Sequence, residues 1–307
     1  MSASSKKVIY AALAGNSLIT VTKFAAATIT GSSAMFSEGI HSLVDTGNQV
    51  LLLHGMRKAC KPPCDRFPFG HGKEIYFWSF AVAILIFAVG SGVSLYEGII
   101  HTIHPKPIGN PMINYIVLGL ALLFEGAAWF FAFTEFTKAK GKWGYIEAVK
   151  RGKDPTMFVV LFEDSAALLG IVVAFAGVLL VDLTGILIFD GIASIIIGLI
   201  LGGTAAWLAY ETKGLLIGES ANKQVIDGIR EIILQYDGID NLNEVLTMHM
   251  GPDFVLVNVS INFRNDILAG DLENIIASMD SQIKVNFPTV KRVFVEAESR
   301  RIQAQSS

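Results

Sequence analysis

The sequence predicts an α-helical membrane protein with six transmembrane helices, followed by a C-terminal cytoplasmic α+β domain of αββαβ, ferredoxin-like order. Three observations predict it: an apolar composition, six long apolar stretches, and basic residues concentrated in alternate loops. Of 307 residues, 52% are hydrophobic and 17% charged, with a mean hydropathy of +0.52. Soluble domains carry about 25% charged residues. The apolar excess lies before about residue 210, and the remainder has an ordinary soluble composition. That shift predicts two domains, residues 1–212 and 213–307.

A span needs about 20 mostly apolar residues. Stretches at about 8–29, 35–56, 75–100, 112–136, 156–181 and 185–208 qualify. They are too long and unpunctuated for barrel strands, so helices are expected, because backbone groups in lipid must pair internally. Basic residues set the orientation. Lys6 and Lys7 precede the first span; Arg57, Lys58, Lys61, Arg66 and Lys73 follow the second; Lys138, Lys140, Lys142, Lys150, Arg151 and Lys153 follow the fourth. The opposite loops, GSSAM, HPKPIGNP and VDLTG, hold a single lysine, Lys106. The positive-inside rule then places both termini in the cytoplasm.

In the tail, residues 222–236 carry Val225, Ile229, Ile232 and Ile233 at helical spacing. NEVLTMHM and DFVLVNVSINF read as strands separated by a turn at Gly251-Pro252. LAGDLENIIASMDSQIKVNF reads as a second amphipathic helix, and VKRVFVEAE as a last strand. Helices covering one face of a three-stranded sheet are the expected arrangement. The net charge of −3 gives no support to nucleic-acid binding. Cys60 and Cys64 are the two cysteines, which excludes a disulfide framework. The leading MSASSKK is too short and polar for a cleaved signal, so a bacterial inner (plasma) membrane is the default expectation.

Ionisable residues inside spans are expensive and so are functional candidates. Span 2 holds Glu38, His41, Asp45 and Asn48, at spacings that put all of them on one helical face. His41 and Asp45 lie one turn apart, so an imidazole nitrogen and a carboxylate can meet one ion, a donor set suited to Zn²⁺ and neighbouring divalent cations. The bland alternative is a polar seam between helices. Span 5 adds Glu163 and Asp164, whose side chains point about 100° apart. One of them can instead pair with a backbone donor or with Lys23. Lys23, near one end of span 1, reads as a snorkelling lysine, and Asn16 as a helix–helix contact.

These residues carry a family resemblance. FSEGIHSLVDTGNQ resembles the second-helix signature of the cation diffusion facilitators, FPFGHGKE the loop before their third helix, and SAALLG and FDGIASIIIG stretches of their fifth and sixth helices. Asn16, Lys23 and GSSA also sit as in the family's first helix. The ED pair at 163–164 resembles the divergent branch that includes the mitochondrial-type zinc transporter. The resemblance covers nearly the whole chain. It implies a proton-coupled divalent cation efflux antiporter, most simply for Zn²⁺, working in the bilayer as a homodimer. No resident cofactor is implied, since zinc is cargo. The implied metal residues are His41, Asp45, Asp164 and Glu163.

The departures are specific. Val160 stands four residues before Asp164, where members usually have His or Asp, so Glu163, Asn48 or water is left to complete the site. At the loop, His71 remains while Phe67 and Cys64 replace the other ligands, and CKPPC is a weak metal signal. In the tail, Asp271 and Glu296 stand where members often have His, which leaves dimerisation as its expected role. The resemblance also pairs Lys73 with Glu219 at the junction of membrane domain and tail. Two rivals remain: transport of Mn²⁺, Fe²⁺ or Co²⁺, and a non-transporting scaffold. An intramembrane metalloenzyme would need an HExxH-like motif, which the sequence lacks.

Overall fold

The computed structural model describes residues 3–140, 143–145, 147, 148, 152 and 154–299, with side chains from residue 16 onward except 139 and 157. The basic residues Lys142, Lys150, Arg151 and Lys153 lie outside the described residues, as do the side chains of Lys6 and Lys7. The chain forms two compact units. One takes in the chain up to Arg57 together with Ile75–Lys213; the other takes in Lys58–Glu74 and the chain from Gly214.

The first unit is helical. Its elements are α1 (Ala3–Thr30), α2 (Ser33–Ala59), α3 (Glu74–Leu85), a π-helical turn (Ile86–Ser91), α4 (Gly92–Ile103), α5 (Pro111–Lys140), α6 (Pro155–Thr184) and α7 (Ile188–Ile217). Local chemistry sets the ends. Gly31 and Gly185, both at φ 70°, close α1 and α6 in the left-handed conformation that favours glycine. Pro111 and Pro155 open α5 and α6, where a missing N–H costs nothing, and Asp154 accepts a hydrogen bond from Thr156 N at 3.0 Å. The start of α2 is capped from another helix: Asp190, in the first turn of α7, accepts from Ser32 Oγ, Ser33 N and Ala34 N. A carboxylate at a helix N-terminus pairs orphan donors and suits the helix dipole.

Among the described residues, four helical rods are long and apolar enough to cross a membrane: Glu74–Ile103, Pro111–Lys138, Phe158–Thr184 and Ile188–Ile217. Thirty residues of helix span about 45 Å, more than the ~30 Å hydrocarbon core. The rods turn large apolar side chains outward, among them Ile99, Leu123, Phe124, Phe130, Leu183 and Leu199. A soluble surface seldom shows so much contiguous apolar area. α1 and α2 are of similar length, but α2 carries Glu38, His41, Asp45 and Asn48 along its middle. The structure therefore supports a membrane-embedded helical unit in which four of the six expected spans are apparent from length and apolarity.

α4 and α7 approach to backbone contact. A Cβ on Gly98 would lie 2.7 Å from Ile195 N, one on Gly191 2.7 Å from Thr102 N, and one on Gly198 2.9 Å from Leu95 N. Small residues permit such approach where lipid supplies no hydrophobic drive between helices. Ser194 Oγ reinforces the contact by donating to Ser94 O at 2.9 Å.

The second unit carries the expected αββαβ order: α8 (Lys223–Ile233), β1 (Ile239–Gly251), β2 (Phe254–Phe263), α9 (Ala269–Asn286) and β3 (Val290–Ala297). The sheet has order β1-β2-β3, with β1 antiparallel to β2 and β3 parallel to it. Val255, Val257, Val259 and Ile261 alternate along β2 and pack with Ile229, Ile233, Met279 and Ile283 from the two helices. The segment 58–74 belongs to this unit by contact. Gly72 has its missing side chain against Met250 O, Phe69 meets Phe294 edge-to-face, and Lys73 Nζ lies 3.7 Å from Met248 Sδ.

Overpacking the α4–α7 contact should be felt in stability. Gly98→Leu should destabilise the purified protein by about 1–3 kcal/mol, read as an earlier thermal transition in detergent. Gly119→Leu, at a position with nothing within 4 Å, should not.

A candidate cation site among α1, α2, α5 and α6

The polar face of α2 is turned into the helical unit. Glu38 and Asn48 are fully buried and His41 nearly so. His41 Nε2 lies 3.0 Å from Asp45 Oδ2, so the one-turn spacing does bring imidazole and carboxylate together. Asn48 Nδ2 donates to Glu163 Oε1 on α6, and Glu163 also interacts with Asp45. A cavity of about 330 Å³ opens beside these groups, and its wall includes Asn16, Ser42, Asp45, Glu125, Glu163 and Asp164.

Asp45, Glu163 and Asp164 thus line one cavity, and His41 lies against Asp45. Glu163 and Asp164 are sequence neighbours, yet both reach the cavity. Val160 lines it too, so the position one turn before Asp164 does face the cavity, but with an apolar group. Among the described residues, no three His, Cys, Asp or Glu groups converge in metal-holding geometry. At the loop, Cys64 Sγ and His71 Nε2 lie 3.9 Å apart, while Cys60 and Cys64 are free thiols.

Two expectations change. Lys23 does not snorkel: it has no solvent exposure, and its ammonium donates to Glu38 Oε2 at 2.9 Å, Ser42 Oγ at 2.8 Å and Glu125 Oε1 at 2.8 Å. The buried charge is neutralised internally by two carboxylates. Asn16 is part of the cavity wall. Sequence reasoning did not assign Glu125 to the site. The available signal was that it is the one charged residue in the middle of span 4, opposite in sign to Lys23, the one charged residue of span 1. Gly170, in the SAALLG segment, leaves the space that Glu38 Oε1 occupies, since a Cβ there would collide with it.

Two carboxylates lining the cavity keep a buried oxygen without a hydrogen-bond partner, Asp45 Oδ1 and Glu125 Oε2; Glu38 Oε1 and Asn48 Oδ1, elsewhere on α2, do so too. Unpaired buried acceptors are costly unless a proton or cation completes them. Carboxylates with one imidazole fit a divalent cation.

Long apolar helices enclosing an acid-lined cavity are the features of an integral membrane protein. Residues 9–217 match the cation efflux transmembrane domain, and the chain belongs to that family, the cation diffusion facilitators. It is 34% identical over 259 residues to the Xenopus laevis proton-coupled zinc antiporter SLC30A9, mitochondrial, covering 84% of this chain and 46% of that protein. It is 29% identical over 266 residues to Arabidopsis thaliana metal tolerance protein C4, covering 86% of this chain and 58% of that protein. It is also 24% identical over 300 residues to the Bacillus subtilis manganese efflux system protein MneP, covering 95% of each. The chain spans about half the length of the vertebrate antiporter it matches.

Breaking the buried ion triad should destabilise the fold. Lys23→Met leaves two carboxylates without their cation and should cost about 3–5 kcal/mol by thermal unfolding in detergent. Adding Glu38→Gln and Glu125→Gln to it should recover most of that loss.

Proposed function

We propose that this protein is a divalent cation efflux carrier that exports Zn²⁺ in exchange for protons, using His41, Asp45, Glu163 and Asp164. The observation that carries the reading is the cavity that gathers Asp45, Glu163 and Asp164, with His41 against Asp45, inside apolar helices. Zn²⁺ needs a neutral imidazole and ionised carboxylates, so cation and protons exclude each other at these groups. An inward proton gradient can then drive outward metal flux. The ion is cargo, and no resident cofactor is proposed.

The proposal takes all six long helical rods as spans, with both termini cytoplasmic as the basic loops imply. Alternating access would come from rocking of the helical unit about the cavity. A homodimer in an energised membrane, such as a bacterial plasma membrane, completes the reading. The names of the relatives support it for zinc. A second reading, Mn²⁺, is favoured by the ratio of three carboxylates to one imidazole on and beside the cavity, since harder oxygen donors suit Mn²⁺. The manganese efflux relative fits that alternative.

Purified protein in liposomes should move Zn²⁺ against an imposed proton gradient, with Mn²⁺, Co²⁺ and Fe²⁺ measured in parallel. Absence of flux for every ion would leave the scaffold reading. His41→Ala, Asp45→Ala and Asp164→Asn should each abolish zinc flux while the protein stays folded; normal flux in any of them removes that residue from the site. For Glu163→Gln, weaker zinc affinity at every pH marks a ligand. Intact affinity with a flattened pH dependence of flux marks a proton relay.

A further inference from the structure

α5 contributes a carboxylate, Glu125, to the cavity. Val160 faces the cavity but cannot bind metal, and Asn48 spends its amide N–H on Glu163. Glu125 lines the same cavity as Asp45, Glu163 and Asp164. Its two oxygens are not equivalent. Oε1 accepts from Lys23 at 2.8 Å, while Oε2 is buried with no hydrogen-bond partner. Asp45, on the same cavity, likewise keeps Oδ1 without a donor. Carboxylate oxygens that line a cavity and that the protein leaves without a donor can take a cation.

We propose that Glu125 contacts the transported divalent cation through Oε2 and supplies the coordination that Val160 cannot. Lys23 is its positioning residue: by holding Oε1, and being held in turn by Glu38 and Ser42, it fixes the carboxylate of α5 against α1 and α2. The charges are compatible. Lys23 with Glu38 and Glu125 carries a net −1, so the ammonium is already over-neutralised before a cation approaches. This inference rests on the reading that the cavity binds a divalent cation.

The test separates direct contact from a purely structural ion pair. In a Cys60→Ser, Cys64→Ser background, which removes the two exposed thiols, Glu125→Cys and Asp164→Cys are each titrated with Cd²⁺ in detergent. A thiolate-to-cadmium charge-transfer absorbance, saturating at one Cd²⁺ per chain, reports sulfur bound to the ion. Both variants should show it. In addition, Glu125→Gln should weaken Zn²⁺ binding at least about tenfold by calorimetry, given that even outer partners of a metal site are worth about 10–100-fold. Glu125→Gln keeps an oxygen to accept from Lys23, so an earlier thermal transition with unchanged zinc affinity would mean a structural role and overturn the inference. An absorbance for Asp164→Cys without one for Glu125→Cys overturns it while leaving the cavity as the site. No Cd²⁺ or Zn²⁺ binding by the parent protein would overturn the cavity reading itself, and the inference with it.

Discussion

A lysine ammonium with no solvent exposure, 2.9 Å from one carboxylate and 2.8 Å from another, sets the terms for the helical unit. An unpaired charge in so apolar a setting is worth several kcal/mol of penalty. Lys23 on α1 therefore requires Glu38 on α2 and Glu125 on α5 to be its neighbours, and α1 cannot rotate or slide without stranding all three. That requirement orients α2. Once Glu38 faces α1, the helical repeat carries His41, Asp45 and Asn48 to the interior as well, and the apolar remainder is left facing outward. The cavity beside Asp45 shares Glu125 with the triad, and Gly170 on α6 makes room for Glu38.

Two buried carboxylates illustrate different uses of the same group. Asp190 receives hydrogen bonds from Ser32 Oγ, Ser33 N and Ala34 N and lies 3.7 Å from His101 Nδ1. It is saturated with donors and ties the beginning of α7 to the beginning of α2, which is a structural task. Asp45 and Glu125 each keep an oxygen without a donor in the interior of the same unit. Proteins rarely leave acceptors in that condition unless something else completes them. The contrast separates the end of the bundle, which is fastened, from its middle, which is open to a cation or to protons.

The pattern on α2 was legible because helix periodicity is local: residues three and four apart share a face whatever surrounds them. The tail was legible for the same reason, since Val255, Val257, Val259 and Ile261 alternate as a buried strand must. Lys23 was misread because its environment is set by Glu38 and Glu125, the latter 102 positions away in the chain. A single charge near a span end is ambiguous between an interface and a long-range partner, and no local rule distinguishes them. Membership of Lys58–Glu74 in the second unit was also not visible, since that loop contains no periodic pattern and its grouping depends on contacts with Met250 and Phe294. The π turn at Ile86–Ser91 has no Pro or other sequence marker within it.

The width of the cavity bears on what such a site can do. The side chains that line about 330 Å³ do not converge on one point among the described residues, so a cation taken up as proposed would stay partly hydrated. With Val160 apolar, carboxylates drawn as proposed from α2, α5 and α6 would keep the attraction electrostatic and distributed. Binding then needs to be strong enough to admit the ion and weak enough to let it go, the same balance that governs permeation in pores. Distributed oxygen donors also lower the advantage of zinc over harder divalent ions. If the ion binds as proposed, selectivity would depend most on His41, the one imidazole beside the cavity, which lies 3.0 Å from Asp45.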